Sequence, residues 1–112
     1  MSKKILGQSN PATANTVATL YTVPSAKEAV ISTISVANTT ATAATFRLIL
    51  QPSADVSATI LTKQYLAYDI TVGASDSTVI TIGLTLATGD VIKVYASTTT
   101  LAFQAFGDEA TA

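Results

Sequence analysis

A chain of 112 residues with neither cysteine nor histidine excludes disulfides, thiolate metal sites, thiol nucleophiles and every imidazole acid, base or ligand at once. Its 6 Lys plus Arg against 7 Asp plus Glu leave a formal net charge of -1, which supplies no basic field for nucleic acid. Only 12% of residues are charged, against roughly a quarter in ordinary soluble domains, yet polar residues interrupt the chain too often for a spanning helix of about 18 apolar residues.

The length fits one domain with one core. At the start, "MSKKILGQSNP" follows two lysines with only Ile5 and Leu6, too short for the apolar region of a signal peptide, so an unprocessed product made in the cytoplasm is expected. Residues 1–15 are polar, turn-prone and without periodicity. They are expected to form an extended N-terminal arm that orders on a partner and is dispensable for the fold. "TVATLYTV" (16–23) is the first strand, stopped by Pro24, which holds Val23 extended and has no N–H for a ladder. "EAVISTISVAN" (28–38) alternates, with Val30, Ile34 and Val36 expected in the core and Thr33 and Ser35 outside. "TFRLILQP" (45–52) is the next strand, with Phe46, Leu48 and Leu50 inward and Arg47, Ile49 and Gln51 outward.

After the loop "SADVSA" (53–58), "TILTKQYLAYDITV" (59–72) has the length for two short strands or for one bent strand. "GASDS" (73–77) is a turn, "TVITIG" (78–83) a strand, "DVIKVYAS" (90–97) another and "TLAFQAFG" (100–107) the last, with 108–112 left as a short tail. Gly89-Asp90 precedes a strand and not a helix, so it reads as a bend, glycine supplying a positive φ and Asp a local side-chain bond, and not as a phosphate cradle. Thr, Ser, Val and Ile dominate throughout. About seven or eight strands with regular turn signals predict an all-β domain over 16–107, an antiparallel β-sandwich of jelly-roll type.

Candidate chemistry is sparse. Asp55, Asp69, Asp76 and Asp90 could gather around a hard cation, but each stands in a turn-like setting, so solvated turn formers are expected and no metal or cofactor. No spacing of acids picks out a glycosidase pair, and Lys63 or Lys93 activating a hydroxyl has no supporting pattern, so no catalytic residue is assigned. Tyr65 and Tyr68, and Phe103 and Phe106, offer large rigid contact area. Residues three apart fall on opposite faces of a strand, so one of each pair is expected in the core and the other outside or against a neighbouring subunit. Thr- and Ala-rich faces can be covered by another subunit at little desolvation cost, and the same composition equally suits a Thr-coated monomer.

At "LYTVPSAKEAVISTISVANTTATAATFRLIL" and "LTLATGDVIKVYASTTTLAFQAFG" the chain resembles a group of small virion structural proteins of tailed bacteriophages. The resemblance covers most of 17–107 and rests on Tyr21-x-Val23-Pro24 with Lys27, the "SVANT" strand end, Phe46-Arg47, Leu86-x-x-Gly89-Asp90 and Phe103-x-x-Phe106-Gly107. Where that group usually has Ala-Gly-Lys after Val-Pro, this chain has Ser25-Ala26-Lys27. Similar Leu-x-x-Gly-Asp turns in trimeric jelly rolls of complement and tumour necrosis factor type add an expectation of homotrimers. The resemblance implies a non-enzymatic virion component, a capsid decoration or cement protein whose partners are its own copies and the major capsid protein. Its interface residues would be Lys3, Lys4, Ile5 and Leu6 of the arm with Tyr65, Tyr68, Phe103 and Phe106. The alternatives are a neck, tail or fibre accessory, or a carbohydrate-binding module at a tail or fibre tip using Tyr65, Tyr68 or Tyr95 as stacking platforms.

Overall fold

The computed structural model describes residues 2–111, with the side chains of residues 2 and 3 outside the described set. Eight strands follow one another: β1 (Ser2–Ser9), β2 (Thr16–Thr22), β3 (Lys27–Asn38), β4 (Ala44–Gln51), β5 (Tyr65–Val72), β6 (Ser77–Leu86), β7 (Val91–Ala96) and β8 (Leu101–Thr111). They form two antiparallel sheets, in the orders β1-β8-β3-β6 and β2-β7-β4-β5, stacked as a sandwich. Pairing is nested: β1 with β8, β2 with β7, β3 with β6 and β4 with β5. The core lies between the sheets, where Phe46 and Phe103 meet edge to face with ring centroids 6.1 Å apart at 73°, the geometry that aromatic quadrupoles favour.

The eighth strand comes from the N-terminus. Residues 59–72 give a short 3-10 turn (Thr62–Gln64) followed by the single strand β5, whereas the stretch expected as a loose arm is the edge strand β1. β1 is paired with β8 from Ser2↔Glu109 to Ser9↔Phe103. The expected tail is likewise strand, because β8 continues to Thr111 as the partner of both β1 and β3. Polar composition concealed both segments, since their apolar residues are few.

Strict alternation also fails in β3. An extra residue, Ser32, bulges the strand against β8, and a bulge exchanges the two faces. Ala29 and Ile31 are therefore buried before it and Ile34 and Val36 after it, while Val30, expected in the core, lies half-buried on the outer face. Close approach at this bulge explains Gly107: a Cβ there would lie 1.9 Å from the carbonyl oxygen of Val30. At Gly7 it would lie 2.2 Å from that of Leu20, so β1 presses directly on the backbone of β2 in the other sheet.

In β4, Phe46, Leu48 and Leu50 face the core as expected. Ile49 and Gln51 face outward but are fully buried, because the 52–64 loop folds over them. Gln51 Nε2 donates to Gln64 Oε1 (3.1 Å), and its Oε1 accepts from the N–H of Ser57 (3.3 Å). The bend at Gly89 has φ 86°. Asp90 fastens it by accepting from the N–H of Ala87 and from that of Ser53, each at 2.9 Å. The "SVANT" strand end has a structural cause too: buried Asn38 donates to the carbonyls of Thr42 (2.8 Å) and Gly73 (3.2 Å).

Candidate functional site

Arg47 stands on the outer face of the second sheet, opposite Tyr95 of β7 in the β4–β7 ladder. Its neighbour on the other side is β5, whose pairing with β4 slips twice. The slip between Tyr65 and Ala67 removes the opposite-face relation expected of residues three apart. Tyr65 and Tyr68 consequently share the outer face, their rings 4.9 Å apart and edge to face at 86°. The guanidinium carbon of Arg47 lies 4.1 Å from the Tyr68 ring centre, 4.2 Å from that of Tyr95 and 6.0 Å from that of Tyr65.

Asp69, held at φ 51° in the second irregularity of β5, turns its carboxylate to the same group. Arg47 Nε donates to Oδ1 at 2.7 Å, with a longer contact from the terminal nitrogen to Oδ2 at 3.4 Å. That hydrogen bond holds the guanidinium even more firmly protonated than usual. Tyr95 is oriented in turn by donating its hydroxyl hydrogen to Asn15 Oδ1 at 3.0 Å. The result is a planar cation fixed between two tyrosine faces, with its ion-pair partner alongside and Tyr68 itself 55% exposed. Such a surface offers rigid aromatic area and directed donors at little entropic cost.

The expected interface residues divide among three places. Tyr65 and Tyr68 belong to this cluster. Lys4, Ile5 and Phe106 line a shallow open groove of about 600 Å³ on the outer face of the first sheet, with Ser32, Gly107 and Asp108. Phe103 is the correction: it is completely buried against Phe46 and cannot meet a partner. Leu6 is turned partly into the core by the bulge in β1, and the Lys3 side chain lies outside the described residues. Phe103 and Phe106 do fall on opposite faces, since no bulge separates them.

The aspartates do separate work. Asp69 pairs with Arg47, Asp90 fastens the Gly89 turn, and Asp76 accepts from the N–H of Ser77 at 2.7 Å. Lys93 donates to the Ser57 carbonyl at 2.9 Å and so anchors the 52–64 loop. Arg47 lies outward, as its place in an alternating strand predicts, and Tyr95 is among the possible platforms, but nothing in the sequence joins the two or brings in Asp69 and Asn15. The joining signal is cross-strand register, which no local pattern carries. Comparison with protein families, curated proteins and solved structures finds no match to this chain.

Proposed function

We propose that this protein is a non-enzymatic virion structural component, a decoration or cement protein that docks on the assembled head through the face bearing Arg47, Tyr65, Tyr68 and Tyr95. The observation that carries the reading is the guanidinium held between Tyr68 and Tyr95. Tyr and Arg are the residues in which binding energy concentrates at protein–protein interfaces, and here they are held in place before any partner arrives, which lowers the entropic cost of docking. The phage-like stretches noted in the sequence supply the virion context, and the nested strand pairing is read as a jelly roll. Binding only the assembled shell, the protein would stabilise that state by mass action.

A carbohydrate-binding role has one observation in its favour, since Asp69, Arg47 and Asn15 stand beside three tyrosines. Against it, the Arg47 guanidinium covers one face of both Tyr68 and Tyr95, the surfaces on which a sugar would stack. Co-sedimentation with heads purified from the cognate phage tests the assignment. Wild-type protein is expected to pellet with the heads, and Tyr68→Ala or Arg47→Ala to weaken binding by roughly tenfold or more, the effect of losing an interface anchor. Binding to a glycan array that is lost on Tyr68→Ala, without binding to heads, would favour the sugar reading instead.

A further inference from the structure

We infer that β6 is a self-association edge, and that two copies of this chain join antiparallel along it, across a two-fold axis at Ile82, into one continuous eight-stranded sheet. The four sheet edges are β1, β6, β2 and β5, and three of them are obstructed. β1 is bulged at Leu6 and carries Lys4. β2 is bulged at Leu20, against which Gly7 of β1 is packed. β5 slips twice and presents Asp69 at positive φ. Lysines, bulges and inserted charges are the devices by which proteins prevent edge pairing.

β6 has no lysine and no inserted charge. Its ten residues, STVITIGLTL, contain neither a charge nor a proline, and exposure alternates without a break from Ser77 to Thr85. β6 also carries an extra residue, opposite Ser32 of β3, but unlike the irregularities of β2 and β5 it leaves the in-out alternation of the strand unbroken. Val79 is 61% exposed, and Ile80, Ile82 and Leu84 are only half-buried although they face the core. An uncharged strand can meet its own copy without like-charge repulsion.

The alternation fixes where the axis can lie. Opposed residues must share a face, so a two-fold axis has to pass through a residue and not between two. At Ile82 it opposes Ile80 to the copy's Leu84 and Ile82 to itself, covering the half-buried aliphatic row. On the outer face the same register opposes Val79 to Thr85 and Thr81 to Gly83. An axis at Thr81 would set Leu84 against Thr78, and one at Gly83 would set Ile80 against Leu86, which is already fully buried, so the axis at Ile82 is the one that covers the half-buried row. A closed isologous pair is also the commonest way for a chain to associate with itself. This inference is independent of what the tyrosine face binds.

The opposition of residues 79 and 85 provides the test. Within one chain they lie roughly 20 Å apart along the strand and both are exposed, so substitutions there leave the monomer's melting transition nearly unchanged. Light scattering after size exclusion, over a dilution series, should give twice the chain mass for the wild type. The double variant V79K/T85K should give the single mass, and V79K/T85E should restore the double mass in a salt-sensitive manner. A wild type that stays monomeric or is trimeric, a dimeric V79K/T85K, or a V79K/T85E that fails to reassociate would each overturn the pairing.

Discussion

Tyr21 of β2 donates its hydroxyl hydrogen to the carboxylate of Glu109 on β8, so one hydrogen bond joins the two sheets at the end of the sandwich where Lys4 of β1 also reaches Glu109, at 2.5 Å. Tyr21 is buried and the Glu109 side chain only 10% exposed, which shields the bond between them from water, while the Lys4 side chain is 49% exposed. Bonds to a charged acceptor in such surroundings contribute more than neutral ones. Tyr21→Phe is expected to lower stability by about 2 kcal/mol in denaturant unfolding. No measurable loss would show that the network is inert.

The same network sets a pH dependence. Lys4 first and Tyr21 second hold the Glu109 carboxyl below its ordinary value of 4.5. Between its folded and unfolded values the unfolded chain binds more protons, so stability rises with pH. Glu109's contribution is complete above the ordinary value and is lost as pH falls through the folded one. Tyr21 has the opposite sign. Burial, and then Glu109, raise it well above 10.0, so stability declines as pH rises past the ordinary tyrosine value. Melting curves from pH 2 to 7 should show a shallower acid slope for Glu109→Gln, and an unchanged slope would refute the assignment.

Ala26 occupies the left-handed region at φ 60° in the turn that Lys27 closes by donating to Pro24 O at 3.2 Å. A Cβ costs about 1 to 2 kcal/mol there, partly offset by the greater freedom of glycine in the unfolded chain. Ala26 is exposed, so nothing packs on its methyl group to be lost. Ala26→Gly should therefore raise stability by about 0.5 to 1 kcal/mol, visible as an upward shift in Tm.

Because β1 is a strand of the sheet, removing residues 2–9 should destabilise the domain by several kcal/mol, on the order of 3. The losses include the β8 ladder, the Leu6 packing and the Lys4–Glu109 pair. Gly7→Val should act in the same direction, since its Cβ would meet the Leu20 carbonyl oxygen at 2.2 Å. A truncated chain melting at the wild-type temperature would return this segment to the status of an arm.

Phe103 and Phe106 offer a contrast within one strand. Phe103→Ala empties a fully buried site beside Phe46 and should cost about 3 to 5 kcal/mol. Phe106→Ala, in the open groove, should cost about 1 kcal/mol or less. Equal losses in urea unfolding would contradict their opposite placement.

The strand positions in the body of the chain were legible because Val/Ile and Thr/Ser alternate there with a period of two, and proline and glycine punctuate the ends. Val30 was misplaced because one inserted residue, Ser32, reverses the faces, and a bulge leaves no mark in an alternating Ser-Thr stretch. β1 was hidden because an edge strand with one wet face needs few apolar residues. The tyrosine cluster was half visible. Its rings and Arg47 could be named, but Tyr65 and Tyr68 share a face only through a slip in pairing with β4, and Arg47 meets Tyr95 only through register, both of which are set by tertiary structure.

The most direct test of the docking account is electron cryomicroscopy of the assembled phage particle. The account predicts density for this eight-stranded sandwich on the head surface, with Arg47, Tyr68 and Tyr95 buried against the shell protein. Particles that lack this chain, or a bound sandwich whose tyrosine face looks into solvent, would contradict it.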